Sequence, residues 1–195
     1  DHREWLSEAE AKHLLIAYGI PVVPTHTAKN PAQAASLAAG LGCPVVLKIL
    51  SPQITHKSDV KGVILDLRAP AAVREAAETM IEHVRMSVPE ARIDGFTVQP
   101  MVERPGAYEL IVGIVEDKQF GPVILFGEGG TAVEAIADTA LALPPLNMHL
   151  AREVMTRTRI HDLLRGVRGR PEAALDEIAL TLVKVSQLVI DFGEL

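Results

Sequence analysis

Lys48 is a charged residue in the middle of an otherwise apolar stretch, residues 44–50. The stretch begins with proline and is rich in β-branched side chains, which is typical of a buried strand. Because burying an ammonium group without a partner is unfavourable by several kcal/mol, we expect an anion near its tip. That anion is either a carboxylate of the fold or the phosphate of a ligand, unless the lysine extends to the sheet edge and reaches water.

A polar loop, residues 51–59, follows this strand and ends with His56-Lys57-Ser58-Asp59. A histidine in such a loop can serve as a nucleophile, a general base or a proton carrier. An exposed histidine without any role is the alternative. The other histidines are scattered without metal-like spacing, which argues against zinc, and the Gly-x-Ser-x-Gly motif of a Ser-His-Asp hydrolase is absent from the sequence.

A glycine-rich segment, Gly127-Glu128-Gly129-Gly130-Thr131, joins a predicted strand to a predicted helix, residues 132–139. Glycines allow the backbone to approach a ligand, and the free amides of a helix start favour an anion. The segment matches neither the Walker A loop nor the Gly-x-Gly-x-x-Gly dinucleotide pattern, and many glycine-rich turns are only turns. An anion site is therefore one of two interpretations.

The composition excludes several classes of protein. The 195 residues allow one domain or two small subdomains, and no apolar run is long enough to span a membrane. A net charge of −6 and an aromatic content of 4% argue against a general nucleic-acid binder. The single cysteine, Cys43, rules out an internal disulfide framework, and with no signal peptide evident it predicts a cytoplasmic location.

The elements that must position these residues form an α/β pattern. Ser7 and Glu10 make a capping box for a first helix that stops near Gly19. The following elements are predicted in the order strand 22–27, helix 31–40, the strand with Lys48, strand 62–67 and helix 70–86. We assign residues 1–95 to a first α/β subdomain.

A second subdomain is predicted for residues 96–195. It begins with a strand at 96–102, and strands 109–115 and 121–126 are separated by a short polar turn, which predicts an antiparallel hairpin. The remainder is predicted to be helical and arginine-rich, with breaks at Pro144-Pro145 and at 166–171. A solvated face or a subunit contact accounts for the arginines, and contact with phosphate or CoA is the alternative.

Several motifs occur together in a recognisable order: Pro44 to Lys48, Ser51-Pro52, His56 to Val63, Gln99 to Val102, Gly106 to Gly113 and Phe120 to Glu134. Over essentially the whole chain they resemble the ATP-grasp domain of ADP-forming (NDP-forming) acyl-CoA synthetases. The segment 140–147 is most similar to bacterial multidomain members, some of which are fused to an acetyltransferase that modifies protein lysines. The resemblance implies a mixed α/β ATP-grasp fold, with lobes 1–95 and 96–195 and a nucleotide cleft between them.

The resemblance also implies which residues bind the nucleotide. Lys48 would bind the triphosphate of ATP, and Glu109 would line the nucleotide pocket. The backbone of a hinge would read the adenine edge, and this hinge consists of Gln99, Pro100, Met101 and Val102.

The full reaction of such enzymes interconverts acid, CoA and ATP with acyl-CoA, ADP and phosphate through an acyl phosphate and a phosphohistidine. His56 matches the relay histidine of the ATP-grasp part, and a second relay histidine belongs to a CoA-ligase-like domain absent from this chain. Gly129 and Gly130 would stabilise the phosphorylated imidazole, and Glu134 would orient it. The implied partners are therefore ATP and the CoA-binding and CoA-ligase-like domains.

Two departures from the family pattern modify this expectation. Lys61 occupies a position where family members usually have glycine. The acidic-x-Asn-Pro motif and the later aspartate that hold Mg²⁺ have no counterpart before Leu195, so we expect a truncated domain that binds nucleotide weakly and is inactive alone. The alternative is a catalytically silent sensor domain fused to a lysine acetyltransferase, and a third hypothesis is a purely structural assembly domain.

Overall fold

The computed structural model of the protein describes residues 6–54, 56–130, 137–167 and 169–192. The chain divides into two compact units. The first contains Asp1–Ala17 and Pro21–Glu103, and the second contains Tyr18–Ile20 and Arg104–Leu195. The short segment 18–20 belongs to the second unit because the Tyr18 hydroxyl donates to Asp191 at 2.6 Å and the Gly19 carbonyl accepts from Lys184 at 2.5 Å.

The sheet of the first unit has four strands, and each of its pairs is antiparallel. The strands are β1 (His26–Ala28), β2 (Val45–Leu50), β3 (Val63–Leu67) and β4 (Gly95–Pro100), in the order β1-β4-β2-β3. β4 was predicted to open the second subdomain, but it pairs with β1 and β2 inside the first. The division between the units therefore follows Glu103 and not residue 95.

Three helices accompany this sheet: α1 (Glu8–Ala17), α2 (Pro31–Leu41) and α3 (Pro70–Ser87). The predicted capping box of α1 is present, because Ser7 N–H donates to Glu10 at 2.8 Å and Glu10 N–H donates to Ser7 Oγ at 3.3 Å. α2 begins at Asn30, whose side chain accepts from Gln33 N–H, and ends at Gly42 in the left-handed conformation. Local sequence therefore sets the ends of these helices.

The alternation of side chains along β2 separates the core of the first unit from its polar face. Val45, Leu47 and Ile49 are fully buried and pack into one cluster with residues of α2, α3 and β4. Lys48 points to the opposite face and is only partly buried. One strand thus supplies both the core and the charged group.

The second unit contains a three-stranded antiparallel sheet, β5 (Leu110–Asp117), β6 (Gly121–Glu128) and β7 (Thr139–Ala142), in that order. The predicted β5–β6 hairpin is confirmed, with Leu110 opposite Glu128 and Asp117 opposite Gly121. The sequence did not predict β7, whose residues were assigned to a helix and to the stretch after it. The earlier part of that predicted helix, 132–136, lies outside the described residues.

Among the described residues of this unit, three helices cover the sheet: α4 (Met148–Thr156), α5 (Ile160–Leu164) and α6 (Leu175–Phe192). Their apolar residues form one core with β6, which includes Ile124 and Phe126 of β6 and Leu182 of α6. The buried Asp138 caps α5, accepting from the N–H groups of Arg159 and Ile160 at 2.8 Å each. No helix in the described ranges is both long enough and apolar enough to cross a membrane.

Candidate functional site

The ammonium group of Lys48 contacts a carboxylate of the fold. Its Nζ donates to Oε1 of Glu8 on α1 at 2.7 Å, and both side chains are 21% exposed. Of the two anions that the sequence left open, the structure therefore shows the protein carboxylate. An ammonium group has three N–H donors, so this contact uses one of them.

A second lysine shares the same carboxylate. Lys12 lies one helical turn after Glu8, and its Nζ is 3.1 Å from Glu8 Oε1. It also donates to Thr25 Oγ1 at 2.6 Å and to Gln99 Oε1 at 2.9 Å. Lys12 therefore has an acceptor for each of its three N–H groups, and it ties the predicted hinge residue Gln99 to α1.

The pKa of the Glu8 carboxyl reflects these two lysines. Partial burial raises the pKa, but hydrogen bonds and charge from Lys48 and Lys12 outweigh burial, so the net direction is downward from the ordinary value. Glu8 is consequently ionised at neutral pH. Two cations and one anion leave this group of three side chains with a net charge of +1.

The strand register places Lys48 beside two polar residues of β4. Lys48 lies directly opposite Thr97, and Val46 lies opposite Gln99, so these side chains share one face of the sheet. Thr97 is 1% exposed, and its hydroxyl has no hydrogen-bond partner within the described part of the chain. The side of the sheet that carries Lys48 thus combines these polar side chains with the buried apolar Val46.

The predicted hinge residues Pro100, Met101 and Val102 come at the end of β4. Met101 N–H donates to the Pro44 carbonyl at 2.8 Å, so the fold already uses this amide. Val102 follows the strand and is 48% exposed. If the hinge reads a base through its amides, Val102 is better placed than Met101 to do so.

His56 is exposed and directly precedes a 3₁₀ turn, Lys57–Val60. Its carbonyl accepts from Asp59 N–H at 3.2 Å. The loop returns to β2 through Gly62, which accepts from Ile49 N–H at 2.8 Å and has no room for a side chain, since an added Cβ would lie 2.6 Å from Ile49 Cγ2. The imidazole is therefore held on a short anchored loop and is open to a reactant.

Glu109, Gly129 and Gly130 are brought together in the second unit. Gly129 N–H donates to the Glu109 carbonyl at 2.8 Å, and a Cβ on Gly129 would lie 2.9 Å from the Leu110 carbonyl carbon. Gly130 has φ +92°, and a Cβ there would lie 3.0 Å from Oε2 of Glu109. This crowding gives both positions a structural reason to be glycine, independent of any ligand. Glu134, the other predicted residue of this segment, lies outside the described residues.

The sequence-based prediction missed Glu8 and Lys12. Their i, i+4 spacing and opposite charges were a usable sign of a helical ion pair, but only Ser7 and Glu10 of this segment were interpreted, as a cap. Contact with Lys48, 40 residues away, has no local signal.

The arginines of the second unit are mostly paired within it. Arg152 contacts Asp176 at 2.9 Å, Arg157 pairs with Glu153, and Arg170 lies 5.3 Å from the centre of the Tyr108 ring. Arg168 lies outside the described residues. These contacts favour the interpretation of a solvated face over a phosphate site.

The side chains that could bind a metal are dispersed. In the ranges that the structure describes, no group of three or more His, Cys, Asp or Glu side chains could hold an ion. We therefore assign no magnesium ligand in these ranges.

Comparison with known proteins decides the family. The family model for the ATP-grasp domain matches residues 1–195. The chain belongs to the ATP-grasp family. This ATP-grasp chain is 40% identical over 192 residues to the beta subunit of acetate–CoA ligase [ADP-forming] II of Pyrococcus furiosus, with 98% of the chain and 80% of the subunit covered. It is thus an ATP-grasp domain of the ADP-forming acyl-CoA synthetases.

Single-chain relatives are much longer than this ATP-grasp domain. Acetate–CoA ligase [ADP-forming] I of Archaeoglobus fulgidus is 41% identical over 186 residues, covering 95% of the chain but only 27% of the relative. The domain therefore spans about a quarter of such a ligase.

Solved structures agree with the fold. The dinucleotide-forming acetyl-coenzyme A synthetase 1 of Ca. Korarchaeum cryptofilum, in complex with coenzyme A, Ca-AMPCP and HgCl+, matches with a TM-score of 0.89 and 39% identity, covering 97% of this chain and 82% of that chain. Another structure of that enzyme, with coenzyme A and Mg-AMPPCP, has its phosphohistidine segment pointing towards the nucleotide-binding site. It matches with a TM-score of 0.80 and 33% identity, covering 98% of this chain and 81% of that chain.

Proposed function

We propose that this ATP-grasp domain binds ATP for an ADP-forming acyl-CoA synthetase, which converts acid, CoA and ATP to acyl-CoA, ADP and phosphate. The proposal rests on the exposure of Lys48 and on its hydrogen-bond partner. Its side chain is 21% exposed on the side of the sheet opposite the core, and its ammonium has one acceptor, Glu8, in the described region. Two N–H groups of this cation are thus available to phosphate oxygens.

The other residues have roles that suit their surroundings. The Val102 amide and the neighbouring hinge backbone would contact the adenine edge, and Glu109 would line the nucleotide pocket. Gly129 N–H already donates to the Glu109 carbonyl. The Gly130 amide, rather than the Gly129 amide, would therefore stabilise the phosphorylated imidazole. Glu134 would orient that imidazole.

His56 would receive the phosphoryl group. Its neutral imidazole nitrogen forms a bond to the γ-phosphorus while the bond from that phosphorus to the β,γ-bridging oxygen breaks, so that ADP leaves and the imidazole N–H proton passes to solvent. The phosphoryl group then moves to the relay histidine of a CoA-ligase-like domain and on to the acid. The acyl phosphate acylates the CoA thiol and releases phosphate.

The relatives support the partners in this scheme. One is a beta subunit of an ADP-forming acetate–CoA ligase, and the solved structures contain coenzyme A and nucleotide analogues. ATP, CoA and a CoA-ligase-like domain, in the same chain or in a partner chain, are the reactants and partners we propose. Mg²⁺ would accompany ATP, and we assign no residue of this chain to it.

A regulatory role is the second candidate. Lys61, in place of the glycine usual in the family, stiffens the loop after His56, which would hinder a relay that must move. In this case the domain would sense nucleotide or acyl-CoA for a fused protein lysine acetyltransferase. Binding without phosphotransfer would favour this candidate.

Phosphotransfer from γ-labelled ATP tests the proposal. In the full-length parent protein, wild type should acquire an acid-labile label that His56→Ala and Lys48→Ala both abolish. His26→Ala, which removes another exposed imidazole of the same unit, is the matched control and should retain the label. A label that survives His56→Ala, or no label in wild type despite ATP binding, would overturn the relay.

A further inference from the structure

We propose that Glu8 is a positioning residue that holds the Lys48 ammonium ready for the transferred phosphate. The inference rests on the proposed function and extends it to a helix outside the predicted site. Glu8 Oε1 lies 2.7 Å from Lys48 Nζ and joins α1 to β2. Without this contact, the four-carbon side chain of Lys48 would sample many rotamers on the face of the sheet.

The two lysines on Glu8 differ in their remaining capacity. Lys12 has three acceptors, Glu8, Thr25 and Gln99, and thus one for each N–H. Lys48 has Glu8 alone in the part of the chain that the structure describes. Lys12 is therefore a fixed part of the scaffold, whereas Lys48 is held at one N–H and has two to offer.

The same helix also secures the predicted hinge. Glu8 and Lys12 lie one turn apart on α1 and so face the same side. Glu8 contacts Lys48, and Lys12 contacts Gln99 of β4. A single turn of helix thus sets the positions of the predicted phosphate-binding residue and of the strand end that leads into the hinge.

The charge balance determines which kinetic parameter should change. The Glu8 carboxylate repels a phosphate bound to Lys48, while it also orders the lysine that must bind that phosphate. For ground-state affinity these two effects oppose each other. A lysine in the correct place matters most when charge moves during phosphoryl transfer, as for the strand lysine and helix glutamate pair of protein kinases. Removing the Glu8 charge should therefore lower kcat more than it changes KM for ATP.

Steady-state kinetics of acyl-CoA synthesis by the full-length parent protein test this inference. Glu8→Gln keeps the size of the side chain and removes its charge, and should lower kcat about 10-fold while KM for ATP stays within about 3-fold. Lys48→Met should lower kcat/KM about 100-fold. In the double variant, Glu8→Gln should add nothing to Lys48→Met, because Glu8 acts through Lys48.

Two controls separate positioning from folding. Ser7→Ala weakens the cap of α1 without touching Lys48 and should leave kcat unchanged. Thermal unfolding of every variant shows what fraction of it is folded at the assay temperature. A tighter KM for ATP with unchanged kcat in Glu8→Gln would show that Glu8 only competes with phosphate. The inference would also be overturned if Glu8→Gln lowered kcat by the same factor in the wild-type protein and in the Lys48→Met variant. If Lys48→Met alone leaves kcat/KM unchanged, the result contradicts the proposed function of Lys48 rather than the role of Glu8.

Discussion

The Glu109 carboxylate lies close beside Gly130 at the start of the second sheet, because a Cβ added to Gly130 would lie 3.0 Å from Glu109 Oε2. Gly130 also has φ +92°, a backbone conformation that L-residues rarely adopt. Glycine at this position thus suits the fold around Glu109, whatever its role towards a ligand.

Gly130→Ala should therefore lower stability and also disturb the candidate site. The positive φ costs about 1–2 kcal/mol in a non-glycine residue, and the new methyl must displace the carboxylate. Urea denaturation should show this loss, and His56 labelling should fall. Gly169→Ala is the matched control, since Gly169 has φ +83° in open space. It should lose similar stability without a change in labelling; if both variants label normally, Gly130 has no functional role.

Lys61→Gly should stabilise the protein. Lys61 caps the 3₁₀ turn after His56 at φ 55°, where glycine has no steric penalty. The expected gain is about 1 kcal/mol in the free energy of unfolding, measured in urea. Lys57→Gly, the same change inside the turn, should instead destabilise. Equal effects of the two variants would mean that the left-handed backbone of Lys61 imposes no strain.

Much of the fold follows from local sequence, because the signals that define its elements are local. The run that contains Lys48, the Ser7–Glu10 cap and the β5–β6 hairpin were each predicted from a few adjacent residues. β7 was missed because Thr139–Ala142 is short, alternates only weakly and is followed by a proline pair. The assignment of β4 was wrong because pairing with β2 depends on residues about 50 positions apart, which no local pattern encodes.

The candidate site was predictable to the same degree. Sequence identified Lys48 and required an anion at its tip, but Glu8 as that anion depends on a contact between α1 and β2 across 40 residues of sequence. The hydrogen bond from Gly129 N–H to the Glu109 carbonyl likewise depends on the β5–β6 register. The ligand-facing residue types were thus visible in the sequence, and their protein partners were not.

Thr97→Val should stabilise the first unit. The hydroxyl of Thr97 is buried without a partner in the described structure, and an unsatisfied buried polar group costs about 1–3 kcal/mol. A valine of the same shape should raise the free energy of unfolding by about 1 kcal/mol. Destabilisation would show that the hydroxyl has a partner. ATP affinity, measured in parallel, reveals whether that partner is the nucleotide.

Asp138 should make stability sensitive to acid. Burial raises the pKa of its carboxyl, but the N–H groups of Arg159 and Ile160 and the Arg159 charge outweigh burial, so the folded pKa lies below its ordinary value. The unfolded chain then binds the proton first, and stability from Asp138 is full above about pH 4 and is lost as pH falls through the folded pKa.

Asp138→Asn checks this pH dependence. Urea unfolding at neutral pH should show a loss of about 1–3 kcal/mol, because the charged acceptor of the Arg159 and Ile160 N–H groups is removed. Below about pH 4 the difference from wild type should shrink. Asp176→Asn, which removes an exposed carboxylate of the same unit, should change stability little at any pH. A constant Asp138→Asn difference down to about pH 2 would contradict the lowered pKa.

Calorimetric titration of Mg·ATP into the full-length parent protein tests the central claim most directly, with Lys48→Ala and Lys29→Ala measured beside it. Lys29 is an exposed lysine of the same unit, so its removal controls for overall charge. The account predicts that wild type and Lys29→Ala bind alike, and that Lys48→Ala weakens ATP affinity about 10- to 100-fold, as expected for a lost charge-assisted hydrogen bond. Equal ATP affinity in all three proteins would contradict it.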